Sequence, residues 1–203
     1  MNGESAIVLL VPEAEPVVGR WRARYDSSAE FGVPAHVTLL FPWFDGPLRE
    51  DDERELSDVL LSQPAFDVTF STTGRFPTVL YLQPDDEGPL RELMARLYQA
   101  FPDYPPYGGI HQDNVIPHLT IVDAPDEGDF DAVAAEVVAD VHPQLPISIA
   151  VPAVTLLESD EDGYWRVPEV TRYLKAGAEA LVASEDALAK STLVDTEGYQ
   201  VPE

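Results

Sequence analysis

The chain has 203 residues, no cysteine, and a formal net charge of −25 from 37 acidic and 12 basic residues. This composition excludes a disulfide framework, a thiolate metal site and a cysteine nucleophile. It also disfavours long nucleic acids as partners, because binding many phosphates needs a basic surface. A small phosphate ester held by a few local donors stays compatible with this charge. The acidity is also typical of a highly soluble protein or of one adapted to a salty cytoplasm.

The 45% hydrophobic content predicts a folded globular chain. No apolar run reaches the 18 to 20 residues typical of a membrane helix. The apolar run at 6–11 is too short for a signal peptide and lacks a basic flank. We therefore expect a cytoplasmic protein without a membrane segment.

Hydrophobic periodicity predicts the order of the secondary-structure elements. In chain order these are a strand at 5–11, a helix at 13–25, a strand at 35–41, a helix at 47–61, strands at 65–71 and 78–82, a helix at 85–101, a loop at 102–115, a strand at 117–122, a helix at 129–141, one or two strands within 145–157 and a short strand at 164–167. The order predicts an α+β fold, with two pseudo-symmetric lobes of antiparallel strands and helices packed outside. We assign 1–174 to a single bilobal domain and 175–203 to a C-terminal helix or tail.

A His-x-Thr phrase occurs on two of the predicted strands. His36 and Thr38 stand in AHVTLLF, and His118 and Thr120 stand in PHLTIV. Residues two apart on a strand point to the same face, so each phrase places an imidazole beside a hydroxyl. The intervening apolar side chains are left to anchor the opposite face in the core. The repeat predicts a site formed by both strands.

Two imidazoles and two hydroxyls in one groove fit phosphodiester chemistry. Histidine exchanges protons near neutral pH, so one imidazole can activate a nucleophile while the other protonates the leaving oxygen. Threonine hydroxyls can donate hydrogen bonds to the non-bridging phosphate oxygens. This arrangement requires no metal. The other histidines add no His-x-His or His-x-x-x-His spacing, so we expect neither a metal site nor a cofactor.

The repeated phrase resembles the signature of the two-histidine phosphoesterase superfamily, which includes 2'-5' RNA ligase-like proteins and cyclic phosphodiesterases. The residues that carry the resemblance are GVPAHVTLLFP at 32–42 and PHLTI at 117–121. The similarity extends over about 5–172, including the stretches at 76–82 and 105–109. The resemblance implies two related lobes, with a His-x-Thr strand from each lining a central groove.

The resemblance also implies roles for the motif residues. His36 and His118 would be the proton-transfer pair, and Thr38 and Thr120 would hold the phosphate. Members of the superfamily act on 2',3'-cyclic phosphates, 2'-5' linkages and oligonucleotide ends. The chain departs from the basic rim expected of members that act on RNA, since its charge is −25. This departure favours a small nucleotide, another cyclic phosphate ester or a short RNA end over a long RNA.

Three further residues are candidates for substrate contacts. Arg75 follows a predicted strand, where a guanidinium can hold a phosphate bidentately or form a surface ion pair. Tyr107 lies in the loop before the second motif and can stack on a base or anchor the loop to the core. His111, in the same loop, can reach the mouth of the groove or simply be exposed to solvent.

We therefore predict a metal-independent phosphodiesterase that hydrolyses a 2',3'-cyclic phosphate or a 2'-5'-linked nucleotide. Two alternatives use the same residues differently. In one, the groove binds a nucleotide or phosphoester without turning it over. In the other, the acidic surface is a protein-interaction surface and the groove has no catalytic role.

Overall fold

The computed structural model of the chain describes residues 4–44, 48–110, 115–123, 130–166 and 171–174. These residues form nine strands and five α-helices. The strands are β1 (Ser5–Leu10), β2 (His36–Leu40), β3 (Phe66–Arg75), β4 (Val79–Pro84), β5 (Leu119–Asp123), β6 (Ile147–Val151), β7 (Ala153–Ser159), β8 (Trp165–Arg166) and β9 (Thr171–Tyr173). The helices are α1 (Glu15–Tyr25), α2 (Ser27–Glu30), α3 (Glu50–Ser62), α4 (Gly88–Ala100) and α5 (Phe130–Val141).

The strands form two antiparallel sheets, which confirms the predicted α+β fold with two lobes. The first sheet has the order β2-β1-β7-β8, and β9 also pairs with β7. The second sheet has the order β5-β4-β3-β6. The two orders correspond, because each motif strand, β2 or β5, pairs with the strand that precedes it in the chain. Each motif strand thus lies at the edge of its sheet.

Two helices each pack against the sheet of the opposite lobe. Helix α1 connects β1 to β2 but packs against β5 of the second sheet, and α4 connects β4 to β5 but packs against β2 of the first. The motif strands β2 and β5 also contact each other. The inner stripe of α4 repeats with helical periodicity, and it consists of Leu90, Leu93, Met94 and Leu97, all buried. Because α1 and α4 each pack against the opposite sheet, both sheets share one hydrophobic core.

Both motif strands alternate between core and cavity as the sequence predicts. Val37 and Leu39 of β2 have no solvent exposure, and Ile121 and the first residue of β5, Leu119, have none either. The histidine and the threonine of each phrase lie on the opposite face. The apolar side chains of each strand therefore set the orientation of its polar ones.

Several element boundaries differ from the sequence prediction. The strand predicted at 78–82 continues to Pro84, because the backbone N–H of Asp85 still donates to the Thr69 carbonyl. Helix α4 accordingly starts at Gly88 instead of 85, and its first N–H is accepted by the Asp86 side chain. Helix α2 and strand β9 were not predicted, because four and three residues are too short to show a periodic pattern.

The described residues contain no helix long and apolar enough to cross a membrane. Residues 175–203, assigned from the sequence to a helix or tail, lie outside the described residues. The domain boundary at 174 therefore stays a prediction.

The packing of the second motif strand can be tested by a core truncation. Leu119→Ala removes a side chain with no solvent exposure, and we expect the free energy of unfolding to fall by about 2–5 kcal/mol. Leu61→Ala is the matched control, since Leu61 is 46% exposed and its truncation should change stability by less than about 0.5 kcal/mol. Denaturant unfolding of both variants gives the comparison. Equal losses would show that β5 is not anchored as described.

Candidate active site

Both histidines are held by the same local hydrogen bond. His36 Nδ1 lies 2.8 Å from the carbonyl oxygen of Pro34, and His118 Nδ1 lies 2.7 Å from that of Ile116. A carbonyl oxygen only accepts, so Nδ1 carries the proton and donates it in both bonds. The neutral ring then has its lone pair on Nε2, which is the tautomer that a general base needs. The backbone two residues earlier thus fixes each imidazole in the same way.

The structure brings the four motif residues to one cavity of about 820 Å³. His36 and Thr38 of the first lobe line it together with His118 and Thr120 of the second. The remaining described residues that line it are Asp26, Ser28, Phe41, Phe76, Pro77, Val79, Tyr107, Val115, Ile116 and Asp123. Because β2 and β5 are neighbouring edge strands, their polar faces meet at this cavity.

A buried arginine organises the wall behind His36. Arg22 is 2% exposed, and its guanidinium donates to the Asp26 carboxylate at 3.1 Å, to the Val33 carbonyl at 3.1 Å and to the Ser28 hydroxyl at 3.2 Å. Asp26 also accepts hydrogen bonds from the backbone and side chain of Ser28. The sequence analysis missed this network, although the i, i+4 spacing of Arg22 and Asp26 was a usable signal.

The protonation of His36 follows from its surroundings. Loss of hydration in the cavity lowers the pKa of His36 below its ordinary value of 6.5, and it is the largest cause of the shift. The charges of Arg22 and His118 lower this pKa further, while the hydrogen bond to Pro34 and the charge of Asp26 raise it. The net direction is downward, so His36 is neutral at neutral pH.

His118 has a different, aromatic environment. The ring of Phe76 stands perpendicular to its imidazole at 5.3 Å, and the ring of Tyr81 lies 5.1 Å away. Tyr81 reaches this position because Gly74, opposite it on β3, has no side chain. A Cβ at Gly74 would lie 2.4 Å from the Tyr81 ring. The sequence gives no sign of this glycine's role, which depends on strand register.

Asp123, the last residue of β5, places a carboxyl group in the cavity. Burial raises the pKa of Asp123, and the charge of Asp26 raises it further, whereas the charge of His118 lowers it. The effect of His118 thus opposes that of burial on the pKa of Asp123. Asp123 was not predicted from the sequence, because nothing in its local pattern separates it from the many surface acids.

Tyr107, a predicted contact residue, does line the cavity. Its hydroxyl shares a hydrogen bond with Thr38, and its backbone N–H donates to the Phe41 carbonyl at 2.6 Å. Its φ of 50° lies in the left-handed region, which a tyrosine adopts only when contacts hold it there. Burial raises the pKa of Tyr107, so the phenol is neutral at neutral pH.

The structure does not bring Arg75 to this cavity. Its guanidinium donates to Asp131 at 2.8 Å and lies over the Phe130 ring at 5.0 Å, beside a separate surface cleft. Arg75 ends β3, and its side chain extends toward α5. Of the two alternatives that the sequence left open for Arg75, the structure shows the surface ion pair, and a phosphate contact stays a prediction. His111, the other loop candidate, lies outside the described residues.

No group of three or more histidine, aspartate or glutamate side chains suited to a metal ion occurs within the described part of the chain. The expectation of metal-independent chemistry stays a prediction, since it concerns the reaction.

The family model of the 2'-5' RNA ligase superfamily matches residues 10–163, which include both motif strands and most of the cavity lining. The chain belongs to the 2'-5' RNA ligase superfamily. This finding confirms the resemblance to two-histidine phosphoesterases stated from the sequence. Comparison with curated proteins gives no significant match.

Solved structures similar to this superfamily member support the same fold. E. coli LigT in complex with 3'-AMP is 23% identical, with a TM-score of 0.52 over 86% of this chain and 99% of that chain. LigT without ligand is 22% identical, with a TM-score of 0.51 over 85% and 98%. A structure described as a phosphoesterase is 21% identical, with a TM-score of 0.50 over 86% and 99%. At these identities the likeness shows the fold.

The lowered pKa of His36 makes stability depend on pH. The unfolded chain binds this proton more readily than the folded chain, so the free energy of unfolding falls as the pH drops through 6.5 towards the folded pKa. The contribution of His36 to the free energy of unfolding is fully present above pH 6.5. His36→Asn keeps a donor for the Pro34 carbonyl and does not titrate.

We expect wild type to lose more stability than His36→Asn between pH 7.5 and pH 5.5 in denaturant unfolding. His142→Asn, at an exposed histidine outside the cavity, controls for the chemistry of the substitution and should behave as wild type. An identical loss in wild type and His36→Asn would contradict the described loss of hydration at His36.

Proposed function

We propose that this member of the 2'-5' RNA ligase superfamily is a metal-independent phosphodiesterase. Its substrate is a 2',3'-cyclic phosphate or a 2'-5'-linked nucleotide. The observation that carries the proposal is the meeting of two imidazoles and two threonine hydroxyls, each pair from a separate lobe, in one cavity. Neither lobe alone supplies both an acid and a base.

The proposed chemistry is proton transfer across one phosphate. One imidazole removes a proton from the attacking hydroxyl or water, and the other protonates the departing oxygen as the phosphorus–oxygen bond breaks. The lowered pKa of His36 suits the first role, and the electrostatic interaction of His118 with Asp123 suits the second. The two roles exchange when the reaction runs in reverse.

The threonine hydroxyls would hold the phosphate between the histidines. Thr38 and Thr120 lie two residues beyond His36 and His118 on the same strand faces, so a phosphate between the imidazoles is within reach of both hydroxyls. Donors fixed in place before the reaction stabilise charge that develops on the non-bridging oxygens. The hydrogen bond between Tyr107 and Thr38 supports the orientation of one of these donors.

Charge favours a small substrate. No lysine or arginine is among the described residues that line the cavity, and the whole chain carries −25. A long RNA would meet repulsion along its backbone, whereas one phosphate within the cavity meets mainly local hydrogen-bond donors. LigT, of similar fold, is described in complexes with 3'-AMP, ATP and NADP+. Small nucleotides or a short RNA end fit this balance in a cytoplasmic enzyme.

The activity is tested with a nucleoside 2',3'-cyclic phosphate in the presence of a chelator. We expect wild type to hydrolyse it, and His36→Ala and His118→Ala each to lower kcat/KM by about 100-fold or more. His142→Ala, at an exposed histidine outside the cavity, is the matched control and should keep wild-type activity. Binding of the intact nucleotide without turnover by wild type would instead support a non-catalytic binding module.

Tyr107 and Arg75 give a second comparison, because Tyr107 is among the residues that line the cavity, whereas Arg75 forms an ion pair with Asp131. Tyr107→Phe removes the hydroxyl that bonds Thr38, and the loss of one hydrogen bond of about 0.5–1.5 kcal/mol should lower kcat/KM roughly 2- to 12-fold. Arg75→Ala should leave kcat/KM within about twofold, since its ion pair with Asp131 is exposed. A large loss in Arg75→Ala alone would contradict the placement of both residues.

A further inference from the structure

A second cavity, the side pocket, opens from the active-site cavity. Its volume is about 330 Å³, and it shares Ser28, His36, Thr38 and Phe41 with the larger cavity. The two are therefore continuous at the first motif. Beyond the shared residues, the side pocket extends over the face of the first sheet that carries His36 and Thr38. A group bound there would be adjacent to His36.

The floor of the side pocket comes from small side chains on β1. Ala6 and Val8 line it, and both belong to a small apolar cluster separate from the main core. Val8 is the residue opposite Thr38 in the strand register. Because residues two apart share a face, Ala6 and Val8 lie on the side of the sheet where the motif is exposed.

Aromatic rings form the walls of the side pocket. Phe41 and Trp165 meet edge to face at 5.9 Å, and Phe31, which is 39% exposed, lies across the opening. The backbone N–H of Trp165 donates to the carbonyl of Phe31 at 2.8 Å, which ties β8 to the end of α2. Three distant chain segments thus combine to present rings around one small volume.

The second lobe fills the corresponding position. Tyr81 is opposite Thr120 in the second sheet, as Val8 is opposite Thr38 in the first. The ring of Tyr81 packs against His118, whereas the smaller Val8 lines the side pocket. The pseudo-symmetry of the two lobes is therefore broken where a substrate would extend away from the phosphate.

We propose that the side pocket binds the second organic substituent of a phosphodiester, an uncharged group with a planar ring such as a nucleoside. The first substituent then occupies the larger cavity beside His118. This inference rests on the proposed function and narrows it to diesters with two substituents. A cyclic phosphate, with one substituent, would leave the side pocket unused.

Charge and size define the occupant. Among the described residues that line the side pocket, Glu4 is the charged one, and no lysine or arginine occurs. A substituent with its own phosphate would be repelled by Glu4 and would lack a counter-charge. The volume of about 330 Å³ lies at the lower end of small-molecule sites. Aromatic walls favour a flat ring, because stacking stabilises a base without sequence preference.

The occupant also fixes the direction of the substrate. With the second substituent beside His36 and the first beside His118, the ester oxygen of the first substituent is the one that faces the proposed proton donor. Exchange of the two groups would place the larger or charged one in the small acidic pocket. The side pocket is thus a determinant of which bond the enzyme breaks.

The experiment compares two substrates: adenosine 2',3'-cyclic phosphate and the 2'-5'-linked dinucleoside monophosphate of adenosine. Ser27→Trp places a large side chain in the side pocket from an exposed position on α2. We expect Ser27→Trp to lower kcat/KM for the dinucleoside at least about fivefold, the smallest effect of losing one stacked base. The cyclic phosphate should change less than about twofold.

Controls separate the side pocket from general effects. Ser62→Trp makes the same change at the exposed end of α3 and should affect neither substrate. Trp165→Ala removes an aromatic wall of the side pocket and should lower kcat/KM for the dinucleoside more than for the cyclic phosphate. Thermal unfolding checks that both variants fold. A dinucleoside with an added 5'-phosphate should react more slowly than the unphosphorylated one in wild type.

The result that overturns the inference is an equal effect of Ser27→Trp on both substrates, or no effect on either. Failure of the proposed function is distinguishable, because wild type would then hydrolyse neither substrate. In that event the same variants are compared by calorimetry with the two intact nucleotides. Loss of dinucleoside affinity in Ser27→Trp, with unchanged affinity for the cyclic phosphate, supports the side pocket, and parallel affinities contradict it.

Discussion

The exchange of helices between the lobes is the constraint on which the site depends. Helix α1 packs against β5 and α4 against β2, so each motif strand is anchored by the other half of the chain. The fully buried Val37, Leu39, Leu119 and Ile121 cannot leave the core without a large cost in free energy. Their burial turns the histidines and threonines outward at the seam between the sheets. The cavity is therefore a consequence of core packing, and the distance between the lobes is not freely adjustable.

A nearly symmetric backbone supports two unlike histidines. The Nδ1 hydrogen bonds to Pro34 and Ile116 are equivalent in position and length, so both rings present Nε2 in the same manner. The surroundings of the two rings differ. His36 is near the buried Arg22 and its hydrogen-bond partners, whereas His118 packs against two aromatic rings and is near Asp123. Acid–base catalysis needs one proton acceptor and one proton donor at the same pH. Unlike surroundings on a symmetric frame are a direct way to obtain that difference.

Sequence reasoning succeeded where the signal was local. The alternation in AHVTLLF and PHLTIV determined which side chains are buried, and the amphipathic stripe of α4 determined its inward face. It failed where the position depends on partners far along the chain. Two alternatives stayed open for Arg75, because its ion-pair partner Asp131 belongs to α5, which is distant along the chain. Asp123 and Gly74 carry no local pattern, because strand register and helix exchange bring them to the site. The side pocket likewise needs β8, which is two residues long.

The charge of the proposed substrate explains how an acidic chain can bind it. A phosphodiester carries one negative charge, whereas a phosphomonoester carries about −1.5 to −2 at neutral pH. The cavity offers hydroxyls and imidazoles to the first charge, but Arg22 is already paired with Asp26 and is not available to a second. Asp26 and Asp123 therefore disfavour the dianion more than the monoanion. Under the proposed function, hydrolysis of a diester would produce the more highly charged monoester, so the carboxylates that limit the choice of substrate would also promote release of that product.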